Sequence, residues 1–196
     1  NFYNDYAKRL GYEEAAVKMC AREHAPFAIG LVEDLGAVPD EANIDWRDLV
    51  DAAIAVPINS NDEESARQEK AAALEQLYCS RLSVLVGAAG TGKTTLLRVL
   101  CEQKNIKSGG ILLLAPTGKA RVRMETQIGV SGAKTIAQFL VPQKRYKVKT
   151  ARYVLSAAPK VGAGETVIID EASMLTEEQL GAVLDALEPP SRLILV

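Results

Sequence analysis

The chain has 196 residues, of which 48% are hydrophobic and 24% are charged, and its formal net charge is -2. These proportions are ordinary for a globular protein, and the length suits one moderate domain or one domain with a small appendage. No apolar run is long enough to cross a bilayer, so we expect no membrane partner.

The few residues that commonly bind metals are scattered. Cys20, Cys79 and Cys101 lack CxxC spacing, and the single His24 has no partner at metal-ligand spacing. We therefore expect all four to be structural and the protein to be cytoplasmic. The chain starts without Met or a leader and ends in an apolar strand, so we also expect it to be a piece of a longer protein.

The first 60 residues predict a small helical N-terminal region. Apolar residues recur there at roughly helical spacing, and we expect Trp46 to lie in the core of this region. A polar turn over residues 57–64 marks a domain boundary, with Asn61 or Asp62 as the N-cap of the next helix.

Residues 61–196 alternate between helices and apolar strands. The pattern predicts helices over residues 64–78, 93–103, 119–126 and 177–187, and strands over residues 82–86, 111–114, 166–170 and 193–196. Continuous apolar strands separated by helices are typical of a parallel sheet that is covered on both faces. We therefore predict an α/β fold with a doubly wound parallel sheet.

A glycine-rich loop follows the first of these strands and opens a helix. It reads Gly87-Ala88-Ala89-Gly90-Thr91-Gly92-Lys93-Thr94 and matches the P-loop pattern G-x-x-x-x-G-K-[ST]. Its backbone N–H groups and the helix N-terminus can cradle phosphates, and Lys93 can neutralise their charge. We expect the Thr94 hydroxyl to bind Mg2+ and the residues through Thr95 to bind ATP. A purely structural glycine turn would not explain Lys followed by Thr.

Two adjacent carboxylates end the strand over residues 166–170. Asp170 can reach the Mg2+ shell, and Glu171 can act as the general base for an attacking water. We predict Lys93, Asp170 and Glu171 as catalytic residues. The pair indicates hydrolysis rather than transfer to a second substrate, and the structural alternative is an acidic helix cap.

Two further strings point to a family. Leu114–Arg121 reads LAPTGKAR and Asp170–Met174 reads DEASM. Together with the P-loop they resemble superfamily 1 helicases of the RecD-like type, the group that holds the exodeoxyribonuclease V alpha subunit. The resemblance covers residues 62–196 and implies a RecA-like P-loop NTPase motor domain that uses ATP and Mg2+.

The resemblance also implies roles for single residues. Gln68 resembles the glutamine that reads the adenine edge, with Gln76 as the weaker alternative. Thr117, with Gly118 and Lys119, resembles motif Ia, which grips single-stranded DNA. Thr135 is implied as another DNA contact, although Ala137 stands where the family usually has His.

A basic segment interrupts this otherwise acidic chain. Over residues 143–153, charged residues alternate with aromatic or aliphatic ones, which is the period of a strand with one basic face. We expect a basic hairpin around residues 142–160 that touches DNA and serves as a strand-splitting pin, as in relatives. Its predicted DNA contacts are Lys144, Arg145, Tyr146 and Lys147, with Tyr153 as a second stacking residue. The alternative is an exposed basic hairpin that does not contact DNA.

The sequence thus predicts the first motor domain of an ATP-dependent DNA helicase, and 5'-to-3' polarity is implied only by the resemblance. In relatives a second RecA-like domain supplies arginines that complete the ATP site, so we expect this chain alone to hydrolyse ATP poorly. An RNA helicase remains an alternative, because phosphate contacts carry no sequence information. The second alternative is a non-translocating P-loop ATPase switch that acts through protein partners. The sequence leaves open the oligomeric state and whether the parent stands alone or belongs to a nuclease complex.

Overall fold

A computed structural model describes residues 44–54, 60–88 and 90–196 of the chain. The predicted helical region over residues 1–60 therefore lies mostly outside the described residues, as do Cys20, His24 and Ala89. Of the described cysteines, both are free thiols, and burial raises the pKa of Cys101 to about 12. Every helix in the described ranges is too short or too polar to cross a membrane.

The centre of the fold is a five-stranded parallel sheet of β1 (Leu82–Val84), β2 (Ile111–Ala115), β3 (Lys134–Thr135), β6 (Thr166–Ile169) and β7 (Arg192–Leu195). Its strand order is β1-β7-β6-β2-β3. Strands β4 (Tyr146–Lys147) and β5 (Arg152–Tyr153) form a separate antiparallel hairpin. All carboxyl ends of the five-stranded sheet consequently lie along one edge.

Seven α-helices surround the sheet in the described part of the chain. They are α1 (Trp46–Ala53), α2 (Asn61–Cys79), α3 (Lys93–Glu102), α4 (Lys104–Gly109), α5 (Gly118–Ile128), α6 (Ile136–Leu140) and α7 (Glu177–Ala186). The four predicted helices of residues 61–196 correspond to α2, α3, α5 and α7. Helices α4 and α6 were not predicted, because neither is long enough to show a full amphipathic period.

Alternation along the strands divides the core into two layers. Leu112 and Leu114 of β2 belong to one apolar cluster, together with residues of α6 and α7. Leu113 and Ala115 face the opposite cluster, which includes residues of helices α1 to α5. Successive strand residues point to opposite faces, so the sheet is covered on both sides. The predicted α/β fold with a parallel sheet is confirmed.

Helix α2 starts earlier than expected, and its N-cap is neither Asn61 nor Asp62. Ser60 has an extended backbone, and its hydroxyl accepts a hydrogen bond from the Glu63 N–H at 3.2 Å. Asn61 and Asp62 instead lie in the first helical turn, where carboxylates favour the positive end of the helix dipole.

Helix α1 packs against α2 through an aromatic contact and a set of ion pairs. Trp46 is buried, as expected, and its ring centroid lies 5.2 Å from that of Tyr78. Arg47 binds Glu64 through two hydrogen bonds of 2.6 and 2.8 Å and also contacts Asp51 at 3.0 Å. Arg67 completes the set with a 2.8 Å bond to Asp51.

Candidate functional site

The loop between β1 and α3 depends on glycine at two positions for different reasons. Gly92 has a φ of 92°, in the left-handed region that side chains with a Cβ rarely adopt. A Cβ on Gly87 would lie 2.9 Å from the Thr91 hydroxyl, which itself donates to the Ala88 carbonyl at 2.9 Å. A residue with a Cβ would therefore strain the backbone at Gly92 and crowd Thr91 at Gly87.

Lys93 is the first residue of α3 and folds back over this loop. Its ammonium donates to the Gly87 carbonyl at 2.5 Å and to the Ala88 carbonyl at 3.1 Å. Gly92, the N-cap of α3, offers no side-chain acceptor to the N–H groups of the first turn. A cation and a helix N-terminus with free donors thus meet at one place, which suits a polyphosphate.

The oxygen donors on this edge fit Mg2+. Thr94 follows Lys93 in the first turn of α3, and Asp170 follows β6 with a side chain 17% exposed. The described residues contain no cluster of three His, Cys, Asp or Glu side chains. A cation held by one carboxylate, one hydroxyl, phosphates and water matches the preference of Mg2+ for oxygen and retained water.

The Asp170-Glu171 pair is held by backbone contacts and by an arginine. The Asp170 N–H donates to the Leu114 carbonyl at 2.9 Å, which continues the pairing of β6 with β2. Glu171 has a φ of 53° and precedes a 3-10 helix over Ala172–Met174. Arg123 of α5 donates to a Glu171 carboxylate oxygen at 2.8 Å and lies 3.5 Å from an Asp170 oxygen.

The predicted DNA contacts Thr117 and Thr135 lie at the ends of β2 and β3, and both cap helices. The Thr117 hydroxyl accepts from the Ala120 N–H at 3.2 Å, and the Thr135 hydroxyl accepts from the Gln138 N–H at 3.1 Å. Thr117, Gly118 and Lys119 are exposed. The two threonines therefore have a structural use, and their contact with nucleic acid stays a prediction.

Helix α2 brings Lys70 to the P-loop, a contact that was not predicted from the sequence. Gln68 is exposed, and its amide donates to Glu64 at 3.3 Å. Lys70 is the residue that approaches the loop, with its Cε 3.7 Å from the point a Cβ on Gly92 would occupy. Lys70 shares a helical face with the buried Leu74 and Leu77, and this spacing could have revealed it. The adenine contact of Gln68 stays a prediction.

The basic hairpin exists, but it is short. Strands β4 and β5 have two residues each, joined by a 3-10 turn over Val148–Thr150. Tyr146 pairs with Tyr153 at a ring-centroid distance of 4.7 Å, and the Tyr153 hydroxyl accepts from Gln179 of α7 at 3.1 Å. The two rings hold the hairpin together. Stacking of Tyr146 on a base stays a prediction.

Arg145 requires a correction. Its side chain is 1% exposed and donates to Asp185 of α7 at 2.7 Å. The guanidinium also donates to the carbonyls of Gln143 and Ala158 at 2.9 Å. The prediction that Arg145 contacts DNA is wrong, because its donors are used inside the protein. Lys144 and Lys147 are exposed, and their contact with DNA stays a prediction.

Comparison with known proteins identifies the domain. A family profile described as AAA domain matches residues 65–196, which is more than half of the sequence. The chain belongs to the AAA domain family. This AAA domain comprises β1 to β7 and contains the P-loop and the acidic pair.

Individual relatives are RecD proteins and an uncharacterized protein. The RecBCD enzyme subunit RecD of Mycolicibacterium smegmatis is 29% identical over 72% of this chain and 29% of its own length. The ATP-dependent RecD2 DNA helicase of Deinococcus radiodurans is 31% identical over 85% of this chain and 21% of its own length. An uncharacterized protein of Methanocaldococcus jannaschii is 26% identical over 67% of this chain and 12% of its own length.

The predicted resemblance of this AAA domain to RecD-like helicases is thereby confirmed. The chain spans less than a third of the length of each of these relatives.

Two residues of the site were not found from the sequence, namely Lys70 and Arg123. Arg123 lies 48 residues from Glu171 along the chain, so no local spacing could connect them.

Proposed function

We propose that this AAA domain is the ATP-binding and hydrolysing first motor domain of a longer, RecD-like DNA helicase. The observation that carries the proposal is the meeting of Lys93, at the start of α3, with free helix donors in the P-loop. The Asp170-Glu171 pair follows β6 on the same edge of the parallel sheet. This edge therefore offers donors for the phosphates, an oxygen ligand for a divalent cation and a carboxylate that can activate water.

In the proposed reaction the chain's residues hold ATP and move one proton. The P-loop N–H groups and Lys93 bind the phosphates, while Thr94 and Asp170 hold Mg2+, which screens the phosphate charge. The Glu171 carboxylate accepts a proton from water as the water oxygen bonds to the γ-phosphorus. The bond from that phosphorus to the bridging oxygen breaks, and ADP and phosphate leave.

We further propose that single-stranded DNA runs along the β2 and β3 end of the same edge. Thr117, Gly118 and Lys119 start α5 there, and exposed N–H groups at a helix N-terminus suit a phosphodiester. A second motor domain beyond these residues would supply an arginine to the γ-phosphate. The 196-residue chain alone would then hydrolyse ATP about 10^3-fold or more slowly than the complete enzyme.

The test is ATP hydrolysis by the full-length protein with single-stranded DNA, with RNA of equal length, and with neither. We expect DNA to raise kcat more than RNA does. Stimulation by RNA alone would identify an RNA helicase, and stimulation by neither would favour a switch that acts through protein partners. Unwinding of duplexes with a 5' or a 3' tail tests the proposed 5'-to-3' polarity.

Glu171→Gln tests the assignment of the general base in the same assay. We expect kcat to fall by roughly 10^2 to 10^4 because the amide cannot accept the proton. Binding of a fluorescent ATP analogue should persist, since Glu171 does not hold the phosphates. Hydrolysis at the wild-type rate would refute this role. Lys93→Ala, in contrast, should lose nucleotide binding.

A further inference from the structure

Arg123 links the helix proposed to bind nucleic acid, α5, to the acidic pair proposed to act in ATP hydrolysis. It belongs to α5, whose N-cap is Thr117, and its guanidinium reaches Glu171 at 2.8 Å and Asp170 at 3.5 Å. The one carboxylate on α5, Glu125, is engaged elsewhere. It accepts from Arg121 at 3.1 Å and from the Gly132 N–H at 2.7 Å.

The contact of Arg123 with Glu171 can break at low cost. The Arg123 side chain is 51% exposed and that of Glu171 is 28% exposed, so water can replace either partner. While the pair is formed, a Glu171 carboxylate oxygen accepts from the Arg123 guanidinium instead of from a water molecule.

A movement of the first turn of α5 would also move Arg123, because both belong to the same helix. Its inner face, with Ala120, Met124 and Ile128, is buried in the core cluster shared with α3. Helix α3 starts at Lys93 and packs directly against α5. A displacement at Thr117 to Lys119 would therefore move Arg123, which lies on the next turn of the same helix.

We propose that Arg123 is a positioning residue that couples nucleic-acid contact to ATP hydrolysis. Without nucleic acid it holds Glu171 away from its role as general base. A phosphodiester bound at the start of α5 moves the helix and releases the carboxylate. The inference rests on the proposed function, because it needs both a nucleic-acid contact at α5 and hydrolysis at Glu171.

The experiment compares Arg123→Gln and Arg123→Lys with the wild type in the full-length protein. The matched control is Arg121→Gln, which removes the same charge from the same helix at a residue that pairs with Glu125. ATP hydrolysis is measured with and without single-stranded DNA. Affinity for single-stranded DNA is measured in the absence of nucleotide.

For Arg123→Gln we expect the DNA-free kcat to rise about threefold, the effect of losing one partly exposed ion pair. The DNA-stimulated kcat and the KM for ATP should stay unchanged, so the stimulation ratio falls by the same factor. Arg123→Lys should show a smaller rise, because the ammonium keeps the positive charge that pairs with the carboxylates. Arg121→Gln should behave as the wild type.

DNA affinity provides a readout that does not depend on turnover. Because DNA binding is proposed to break the Arg123–Glu171 pair, loss of the pair in Arg123→Gln should raise the affinity for single-stranded DNA by up to about threefold, and Arg121→Gln should leave it unchanged. A DNA-free kcat at or below the wild-type value overturns the proposal. Should Arg123→Gln unfold, the same result in Arg123→Lys decides.

The two proposals fail in different ways. A wild type that DNA does not stimulate, or a Glu171→Gln variant that hydrolyses ATP normally, refutes the proposed function. A wild type that DNA stimulates, with Arg123 variants indistinguishable from it, refutes only the role of Arg123.

Discussion

Arg145 and Lys144 are neighbours in a basic segment, yet the fold gives them opposite environments. Lys144 is exposed, whereas Arg145 is buried and binds Asp185 of α7 and several backbone carbonyls. A guanidinium has five donors in a fixed plane, so it can serve several acceptors at once where an ammonium cannot. Arg145 thus ties the hairpin insertion to α7.

Replacement of Arg145 by Ala should destabilise the protein by about 3 kcal/mol, because it leaves Asp185 and several carbonyls without their partner. Urea unfolding of the 196-residue chain measures this. Lys144→Ala is the matched control and should change the free energy of unfolding by no more than about 0.5 kcal/mol. Equal effects of the two substitutions would contradict the anchoring role.

At the scale of elements, the hairpin is a small unit with a buried base and a charged tip. Its base is held by Arg145, by the Tyr146–Tyr153 contact and by Gln179. At the tip, Val148 is 67% exposed between Lys147 and Lys149. The tip can therefore be changed without disturbing the contacts that hold the base.

The double substitution of Lys147 and Lys149 by Ala should weaken binding of single-stranded DNA. Loss of two phosphate contacts should lower the slope of log affinity against log salt by roughly 1.4. Salt titration of DNA binding by the full-length protein measures the slope. Lys104 and Lys107, exposed on α4 before β2, form the matched control pair. If both double variants keep the wild-type slope, the hairpin does not contact DNA.

The attachment of α1 to α2 should depend on pH. Bonds from Arg67 and Arg47 lower the pKa of Asp51 below 3.8, and bonds from Arg47 lower the pKa of Glu64 below 4.5. Carboxylates with lowered pKa values stabilise the folded state above their ordinary pKa, and the stabilisation is lost as the pH falls through the lowered values.

Acidification below about pH 4 should therefore loosen α1 before the rest of the domain unfolds. Trp46 is the only tryptophan of the chain, and its fluorescence should shift to the red as it leaves its contact with Tyr78. A variant with Asp51→Asn and Glu64→Gln should lose this pH dependence. An acid transition identical to that of the wild type would show that other groups cause it.

At the scale of the whole molecule, the parallel sheet gathers the site on one edge. The P-loop follows β1, Asp170 follows β6 and Thr117 follows β2, and these three strands run in the same direction. The acidic pair consequently lies between the P-loop side and the β2–β3 side of the sheet. This strand order supports the proposed arrangement, in which the acidic pair lies between the ATP site and the nucleic-acid contact.

Bound nucleotide should stabilise the whole domain. At a concentration about 100 times its dissociation constant, Mg-ATP should add ~2.7 kcal/mol to the free energy of unfolding, because it binds only the folded P-loop. Thermal unfolding of the chain with and without Mg-ATP measures this. Lys93→Ala should remove the shift. A shift of equal size in that variant would place the nucleotide elsewhere.

The sequence was sufficient for features whose residues lie close together in the chain. The P-loop spans eight consecutive residues, and the apolar strands and amphipathic helices repeat over short periods, so the α/β class and the parallel sheet could be predicted. The predicted bounds of α2 were less accurate, because the N-cap depends on whether Ser60 or Asn61 adopts an extended backbone.

The sequence could not show which side chains meet across the sheet or which basic residues reach solvent, because both depend on how the elements pack. Arg123 meets Glu171 over 48 residues, and Arg145 meets Asp185 over 40. Neither contact follows from local spacing, because the first depends on how α5 packs beside the end of β6 and the second on how the hairpin packs against α7. A basic side chain in a charged segment is expected to be exposed to solvent. Arg145 is buried instead, because fixed acceptors inside the protein pair with its donors.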